Sequence, residues 1–219
     1  MKGYFITLEG GEGSGKSTLI KKLSASFKEL GHEVLMTCEP GGSSIGPLIR
    51  QILVGKEDYS LSTRAELFLF LANRSQHIEE VIRPALAKGV VVLCDRFNDS
   101  TRAYQGAARH FDLDFIQELC DFVADGLKPD LTLFIDIDPE VGLKRVESQR
   151  RQESPKGGHD RIEAEGLSFH TKVREGYLRL IKEDPKRIHC IDGLFTPSQV
   201  FENSMKIIND TLFKPQSAS

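Results

Sequence analysis

The sequence predicts an α/β protein with one five-stranded parallel sheet and helices on both faces of that sheet. Short apolar segments rich in β-branched residues alternate with segments of helical length along the chain. No segment rich in Pro, Ser or Gly interrupts this alternation. With 39% hydrophobic residues in 219, the chain is long enough for one substantial core. We therefore expect a single domain over residues 1–213 and a disordered polar tail at 214–219.

Five apolar segments are predicted to be the strands. They cover residues 4–8, 33–37, 90–94, 131–136 and 187–191. Because these segments are apolar along their length, we expect both faces of the sheet to be buried, as is typical of parallel strands. Right-handed crossovers then place helices on both faces and ligands at the carboxyl ends of the strands.

The segments between the strands are predicted to be helical. The predicted helices cover residues 17–30, 63–88, 114–124, 139–147, 167–182 and 197–212. The first has apolar residues at helical spacing and a stop at Gly31. The second is expected to break or bend at Pro84 because proline lacks an N–H group. Residues 147–158 are dense in Arg, Gln, Lys and Gly and predict a mobile surface loop.

The first predicted strand is followed by the pattern GxxxxGK[ST], the P-loop. Its glycines expose backbone N–H groups to a polyphosphate, and the helix that begins near Ser17 directs its positive end at the same charge. Lys16 can reach the β- and γ-phosphates, and Ser17 can bind Mg²⁺. A glycine-rich turn without a ligand is the alternative, but strand, loop and helix occur in the required order. The expected fold is therefore that of the P-loop NTPases, and the expected nucleotide-binding residues are Gly10, Gly11, Glu12, Gly13, Ser14, Gly15, Lys16, Ser17 and Thr18.

Composition narrows the classes of partner. The formal net charge of −3 provides no broad basic surface for nucleic acid, so we expect a small-molecule partner. Cys38, Cys94, Cys120 and Cys190 show no metal-binding spacing and are expected to be buried free thiols in a reducing compartment. The first residues are too short an apolar run for a secretory signal or a membrane span. We therefore expect a cytoplasmic protein that does not bind membranes.

Asp95 and Arg96 directly follow the strand predicted at residues 90–94. A carboxylate at this position lies beside the P-loop and can hold Mg²⁺ through its water shell. The adjacent guanidinium offers a planar pair of donors to a second phosphate. A structural salt bridge is the alternative interpretation. In the presence of a P-loop, the pair favours a site where two phosphoryl groups meet.

Other polar and aromatic residues follow the predicted strands, and each also has an ordinary structural explanation. After the second strand come Glu39-Pro40-Gly41-Gly42 and, one or two helical turns after this turn, Arg50. Phe68 and Arg74 are six residues apart in a predicted helix and are interpreted as lying on similar faces, although such a Phe is commonly a core residue. Side chains able to bond a base or sugar follow Arg96: Ser100, Thr101, Tyr104 and Gln105.

Four arginines lie in or beside the low-hydrophobicity stretch: Arg145, Arg150, Arg151 and Arg161. Solvated surface charge is the usual explanation of such a run. Phosphoryl transfer, however, requires cations around the migrating group. Both interpretations remain open from the residues alone.

Taken together and in order, these motifs resemble those of bacterial thymidylate kinase over residues 4 to about 180. Only the P-loop is generic; the combination of the others is specific. The matching motifs are the P-loop with Glu12, Glu39-Pro40-Gly41-Gly42, Phe68 to Arg74-Ser75-Gln76, Asp95-Arg96-Phe97, Ser100-Thr101 to Tyr104-Gln105-Gly106, and Asp160-Arg161-Ile162-Glu163.

The resemblance implies transfer of the γ-phosphoryl group of MgATP to dTMP by a homodimeric cytosolic enzyme on the route to dTTP. Lys16 would hold the ATP phosphates, and Ser17 and Asp95 would serve the metal. At the base of dTMP, Phe68 would stack on thymine, Arg74 would bond to its exocyclic oxygen, and Thr101 and Gln105 would add polar contacts. At the sugar, Glu12 would bind the 3′-hydroxyl and Tyr104 would lie against the 2′ position. Arg96 would bind the phosphate, with Arg50 as a second candidate, and Glu39 and Ser100 are expected alongside them.

The resemblance also bears on the catalytic arginine. Members of this family carry it either in the P-loop or in a flexible lid, and this P-loop has none. We therefore expect a lid at about residues 147–161, with Arg150, Arg151 and Arg161 as alternative candidates. The stretch 149–159 makes this lid longer than the compact form of that group.

Two other functions remain as alternatives. A related P-loop kinase acting on another nucleotide or nucleoside would share the generic features. A regulatory P-loop NTPase is disfavoured because the base-reading motif Asn-Lys-x-Asp is absent from the sequence.

Overall fold

Five strands form one parallel sheet in the computed structural model, which describes residues 3–55, 60–153 and 161–213. The strands are β1 (Tyr4–Glu9), β2 (Val34–Cys38), β3 (Val91–Asp95), β4 (Leu131–Asp136) and β5 (Ile188–Asp192). Their order is β2-β3-β1-β4-β5. The predicted fold class is confirmed, and each strand end lies within one residue of its predicted position. The central strand β1 therefore places the P-loop directly beside the end of β3, where Leu8 pairs with Asp95.

Helices connect the strands and cover both faces of the sheet. The α-helices found in the described ranges are α1 (Lys16–Glu29), α2 (Gly46–Val54), α3 (Thr63–His77), α4 (Arg83–Ala87), α5 (Asn98–Thr101), α6 (Leu113–Ala124), α7 (Pro139–Glu153), α8 (Leu167–Glu183) and α9 (Pro197–Ile208). Segments Ile78–Ile82, Arg102–Ala108 and Asn209–Phe213 are π-helical. Helices α2 and α5 and the π-helical segment Arg102–Ala108 lie outside the predicted helices. The break expected near Pro84 takes the form of a π-helical turn before α4, which begins one residue before this proline.

The prediction of a mobile loop at residues 147–158 is wrong for residues 147–153. Helix α7 continues through Glu153 because the segment contains no Gly or Pro and consists of residues with good helix propensity. Arg151 also pairs with Glu147 one turn earlier. Residues 154–160, most of the predicted lid, and the predicted tail at 214–219 lie outside the described residues.

The two faces of the sheet have different chemistry. Ile6 and Leu8 pack with Leu23 and Phe27 of α1 in an apolar core that also includes α9. On the opposite face Thr7 is buried and its hydroxyl lies 2.7 Å from that of Thr132 on β4. Because side chains alternate along a strand, Glu9 lies on this second face too, towards α8. A buried carboxyl group therefore ends the central strand.

The prediction that all four cysteines are buried is confirmed only in part. Cys94 and Cys120 are buried, whereas Cys38 is half-buried and Cys190 is exposed. The expectation of a buried thiol is wrong for Cys190 because β5 is an edge strand, which the apolar run alone does not reveal.

Candidate active site

Two adjacent cavities open at the carboxyl ends of the strands. The larger, called here the large cleft, has a volume of about 1090 Å³ and is lined by the P-loop, Asp95 and residues of α7. The smaller, called here the side pocket, has a volume of about 100 Å³ and is lined by residues of α3 and of the segment after β3. The two cavities share part of their lining. The shared residues are Glu12, Glu39, Arg50 and Arg96.

The P-loop wraps around the ammonium group of Lys16. Lys16 Nζ donates to the carbonyl oxygens of Gly10 and Gly11 at 3.0 Å each and to Ser14 Oγ at 3.3 Å. Gly15 at the start of α1 has a φ of 99°, which favours glycine. Burial, helped by the charge of Arg96, lowers the pKa of Lys16. The loop therefore presents its backbone and one buried cation to the large cleft.

Helix α7 is packed tightly against the P-loop through two glycines. A Cβ atom at Gly142 would collide with the carbonyl oxygen of Glu12, and one at Gly13 would collide with the carbonyl of Gly142. Three residues later, Arg145 lines the large cleft and donates to the carbonyl oxygen of Gly193 at 3.0 Å. The close approach of α7 therefore sets the position of the P-loop and of one cleft arginine.

Ser17 and Asp95 lie together at the floor of the large cleft. Ser17 Oγ donates to Asp95 Oδ2 at 3.4 Å, while Asp95 Oδ1 is buried without a hydrogen-bond partner. A buried carboxylate oxygen without a partner suits a hydrated cation. Within the described ranges, no cluster of three or more His, Cys, Asp and Glu side chains could hold a metal by itself. These donors fit Mg²⁺, which protein sites commonly hold with one or two side chains plus phosphates and water.

Arg96 forms the wall between the two cavities. Its guanidinium donates to Glu12 Oε1 at 2.6 Å and to the carbonyl oxygen of Gly10 at 3.1 Å, and it lies 4.9 Å from the ring centroid of Tyr104. The Tyr104 hydroxyl also donates to Glu12 Oε1, at 3.0 Å. Burial alone would raise the pKa of Glu12, but the charges of Arg96 and Lys16 hold it below its usual value. An ionised carboxylate and two cations therefore meet between the cavities.

A buried network organises the far side of the side pocket. Arg74 is 1% exposed; it donates through Nε to Glu39 Oε2 at 2.7 Å and through Nη1 to Thr101 Oγ1 at 2.8 Å. Glu39 Oε1 lies 2.9 Å from His77 Nδ1, and His77 Nε2 lies 2.6 Å from Thr37 Oγ1. Both carboxylate oxygens of Glu39 are thus used to fix Arg74 and His77, as a buried charge requires.

The prediction that Phe68 stacks on a base in this pocket is wrong. Phe68 is 57% exposed and is not part of the pocket lining, whereas Phe70 lines the pocket with Arg74. Six residues turn the helix by about 600°, which leaves Phe68 about 120° away from Arg74 around the axis, but four residues leave Phe70 only about 40° away. The aromatic wall is therefore the residue one helical turn before Arg74.

The other predicted substrate-binding residues all line the side pocket. They are Glu12, Glu39, Arg50, Arg74, Arg96, Ser100, Thr101, Tyr104 and Gln105. Arg50 Nη1 donates to the carbonyl oxygen of Pro40 at 2.8 Å, and Gln105 donates to Glu66 Oε1 at 2.9 Å. The Ser100 hydroxyl bonds to Glu9 and Tyr177.

The candidate lid arginines point to different places. Arg150 pairs with Glu163, and Arg151 pairs with Glu147 on the exposed surface. Arg161 donates to the carbonyl oxygen of Leu53 at 2.9 Å and pairs with buried Glu66 at 2.7 Å. None of these arginines lines the large cleft, whereas Arg145 does.

The sequence analysis assigned no role to Phe70, Glu9 or Tyr177, which all belong to this site. Phe70 could have been found from the four-residue spacing to Arg74. Glu9 and Tyr177 had no signal, because Glu9 ends an apolar strand and Tyr177 approaches the site from a distant part of the chain. Ile162 lies in the predicted motif Asp160-Arg161-Ile162-Glu163 and lines the side pocket, although no role was predicted for it.

Comparisons with known proteins point to one family. A family model for thymidylate kinase matches residues 8–203. The chain is 49% identical to the thymidylate kinase of Protochlamydia amoebophila, over 95% of this chain and 93% of that protein. It is 41% identical to the thymidylate kinase of Bacillus pumilus, over 99% of this chain and 100% of that protein. The structure is similar to the crystal structure of thymidylate kinase from Ehrlichia chaffeensis, with a TM-score of 0.76 and 31% identity over 95% of this chain and 99% of that one.

The packing of α7 on the P-loop yields a test with a matched control. We expect Gly142→Ala to weaken ATP binding about tenfold, because overpacking strain of roughly 1–3 kcal/mol would displace the loop. Gly166→Ala is the control, since Gly166 has an ordinary extended backbone and open space around it. Titration with a fluorescent ATP analogue measures both. Equal affinity of the two variants would show that the contact does not position the loop.

Proposed function

Because the chain belongs to the thymidylate kinase family and so transfers a phosphoryl group from ATP to dTMP, we propose that ATP binds in the large cleft and dTMP in the side pocket. The observation that carries this assignment is the shared wall of Glu12 and Arg96. Two ligands in these cavities would have their phosphates facing each other across one guanidinium. In-line transfer requires this arrangement of donor and acceptor.

On the donor side, the proposed phosphate site is the P-loop from Gly10 to Thr18. Lys16 is buried within hydrogen-bond distance of the loop carbonyls and would exchange those partners for phosphate oxygens. The start of α1 directs its backbone N–H groups and its positive end to the same point. Binding there would place the γ-phosphate towards Asp95 and Arg96.

Mg²⁺ is proposed to bind between Ser17 and Asp95. The support is the chemistry of the two oxygen donors and the unpartnered, buried Asp95 Oδ1. When bound, Mg²⁺ would neutralise charge that develops on the phosphates. Ser17 and Asp95 would orient it, and the remaining ligands would be phosphate oxygens and water.

On the acceptor side, Arg96 and Arg50 are proposed to hold the dTMP phosphate. One phosphate oxygen of dTMP would attack the γ-phosphorus of ATP while the bond from that phosphorus to the β,γ-bridging oxygen breaks, and ADP would leave. Glu12 would accept the sugar 3′-hydroxyl, since its carboxylate is held ionised beside Arg96. Tyr104, bonded to the same carboxylate, would occupy space that a 2′-hydroxyl needs.

The thymine base is proposed to stack on Phe70 and to bond to Arg74. Support comes from their common position on the inner face of α3. Thr101 and Gln105 would add polar contacts, with Thr101 also orienting Arg74. Ser100 and Glu39 also line the pocket and are proposed to act through the hydrogen bonds that hold neighbouring side chains.

For the cation that contacts the transferred group, we propose Arg145 as the first choice because it lines the large cleft. Arg150 remains a candidate because its partner Glu163 also lines the cleft. Arg151 is exposed, and Arg161 is held at Glu66, which supports a structural role for Arg161 instead. An alanine series over these arginines separates the roles through turnover.

A homodimer is proposed from exposed apolar side chains on neighbouring helices. Phe68 on α3 and Phe115 and Phe122 on α6 are 57%, 45% and 83% exposed, and α3 packs against α6. Clusters of this kind mark protein interaction surfaces, and a twofold axis allows one surface to cover itself. Cytoplasmic residence is proposed because all four cysteines are free thiols. No helix over the described ranges has the length and apolarity to cross a membrane.

The function is tested by ADP release across the natural nucleoside monophosphates. We expect dTMP to be the preferred acceptor, and Arg96→Ala to lower turnover by roughly 10²-fold, the typical effect of removing one transition-state donor. Equal use of dCMP or dGMP would support another nucleotide kinase. ATP hydrolysis unaffected by any monophosphate would support a regulatory NTPase.

The base site is tested by paired substitutions on one helix. Phe70→Leu should raise the KM for dTMP about tenfold, because stacking a base on an aromatic ring is worth roughly 1–3 kcal/mol. Phe68→Leu keeps an apolar surface residue and should leave this KM within about twofold. The reverse pattern in steady-state kinetics would restore Phe68 as the stacking residue.

The dimer surface is tested by Phe122→Asp, which should convert the protein to a monomer because it places a charge in an apolar interface. Leu30→Asp is the control, since Leu30 is also exposed, at 62%, but lies at the end of α1. Sedimentation analysis gives both masses. A dimer that survives Phe122→Asp would locate the interface elsewhere.

A further inference from the structure

The buried carboxyl group of Glu9 lies directly behind the wall between the two cavities. It is 0% exposed and ends the central strand β1. Glu9 Oε1 accepts the backbone N–H of Phe97 at 2.8 Å. Glu9 Oε2 lies 2.6 Å from Ser100 Oγ and 2.8 Å from the Tyr177 hydroxyl. Nothing in the proposed reaction uses this group, although its partners flank Arg96.

Glu9 Oε2 forms a triangle of oxygen atoms with the hydroxyl groups of Ser100 and Tyr177. Ser100 Oγ and the Tyr177 hydroxyl are themselves 2.8 Å apart, so three oxygen atoms are within hydrogen-bond distance of one another. Each edge of such a triangle needs one hydrogen atom. A hydroxyl group supplies one hydrogen, so Ser100 and Tyr177 together supply two. Three hydrogen-bonded edges therefore require a third hydrogen, and Glu9 is the member of the triangle that can carry it.

The triangle holds the segment that carries Arg96. Arg96 has a φ of 73°, in the left-handed region that costs energy for a residue with a side chain. Its backbone N–H is held by the carbonyl oxygen of Leu8 at 3.0 Å, and the next N–H, that of Phe97, is held by Glu9. Arg96 Nη1 also lies 3.4 Å from Ser100 Oγ. Glu9 therefore contacts the backbone next to Arg96 directly, and it contacts the neighbourhood of the guanidinium through Ser100.

We propose that Glu9 is a positioning residue that carries a proton on Oε2, closes the triangle with Ser100 and Tyr177, and so fixes Arg96 for the acceptor phosphate. The proposal rests on the assignment of dTMP to the side pocket. Loss of the proton leaves three oxygens with two hydrogens, which opens one edge and loosens Ser100 and the turn. Productive capture of dTMP should then weaken as the carboxyl group ionises.

The electrostatic surroundings agree with this geometry. Burial, and next the charge of Asp99, raise the pKa of Glu9 to about 7. The titratable and charged groups that face it are Arg96 after β3, Cys94 on β3, Asp99 on α5, Tyr177 on α8, Lys16 on α1 and Arg74 on α3. Asp99 is itself paired with Arg187 at 2.6 Å. The proton would therefore be present below pH 7 and lost above it.

The test compares kcat/KM for dTMP in the wild type and Glu9→Gln across pH, because this quantity reports ionisations of the free enzyme and substrate. The amide group supplies fixed hydrogens at the Oε2 position and imitates the protonated acid. We expect equal values below pH 7 and an advantage of about fivefold for Glu9→Gln at higher pH, the scale of one lost hydrogen bond. Ionisation of dTMP affects both enzymes equally and cancels in the ratio.

Two further measurements separate positioning from folding. Tyr177→Phe opens the triangle at every pH and should lower kcat/KM about fivefold already below pH 7. The infrared spectrum of the wild type below pH 7 should contain a protonated-carboxyl band that Glu9→Gln lacks.

The proposal is overturned if the ratio of the two enzymes is constant with pH, if Tyr177→Phe matches the wild type, or if the band is absent. A wild type with no saturable use of dTMP would instead overturn the assignment of the side pocket.

Discussion

The ion pair between Glu12 and Arg96 is the interaction on which the site depends. Its two residues come from adjacent strands of the sheet, β1 through the P-loop and β3 through the turn that follows it. The pair exists because β1 lies at the centre of the sheet with β3 beside it, so their carboxyl ends meet. A guanidinium placed there belongs to both cavities. The topology therefore fixes where two groups of opposite charge meet before any ligand binds.

Burying so much charge near one sheet edge carries a desolvation cost that the structure offsets by pairing. Arg74, Glu39 and His77 form one chain of hydrogen bonds, and Asp99 is held by Arg187 in a two-pronged pair. Such networks add little net stability compared with an apolar core of similar shape. They do fix side-chain direction, since moving one member leaves another buried charge unpaired. The benefit of these networks is therefore the rigid placement of hydrogen-bond donors around the site.

The sequence predicted the sheet because parallel strands buried on both faces appear as continuous apolar runs. It also predicted most of the residues around the cavities, since motifs directly after strands β1, β2 and β3 converge at one edge. The prediction for Phe68 is wrong because α3 has aromatic residues at both position 68 and position 70, and only the four-residue spacing from Phe70 places a side chain on the face of Arg74. The extent of α7 was missed because low hydrophobicity was interpreted as loop, although helix propensity does not depend on hydrophobicity.

Other features had no local signal in the sequence. Tyr177 meets Glu9 across 168 positions of the chain, and Arg187 meets Asp99 across 88. These contacts arise only when α8 packs onto the second face of the sheet and β5 pairs with β4 at its edge. The exposure of the Cys190 thiol also had no local signal, because it follows from the edge position of β5. Long-range packing, rather than local propensity, decided each of these cases.

The contacts of Arg161 hold the segment that begins at this residue against the side pocket. Arg161 is held by Glu66 of α3, and the same carboxylate accepts hydrogen bonds from Gln105 and Arg109. The next residue, Ile162, lines the side pocket. Because a fully buried carboxylate has to keep its cationic partners, freeing Arg161 would disturb Gln105 at the same time. Arg161 is therefore better explained as part of the wall of the side pocket than as a cation that moves to the large cleft. On the α7 side, Arg145 is the arginine that lines the large cleft.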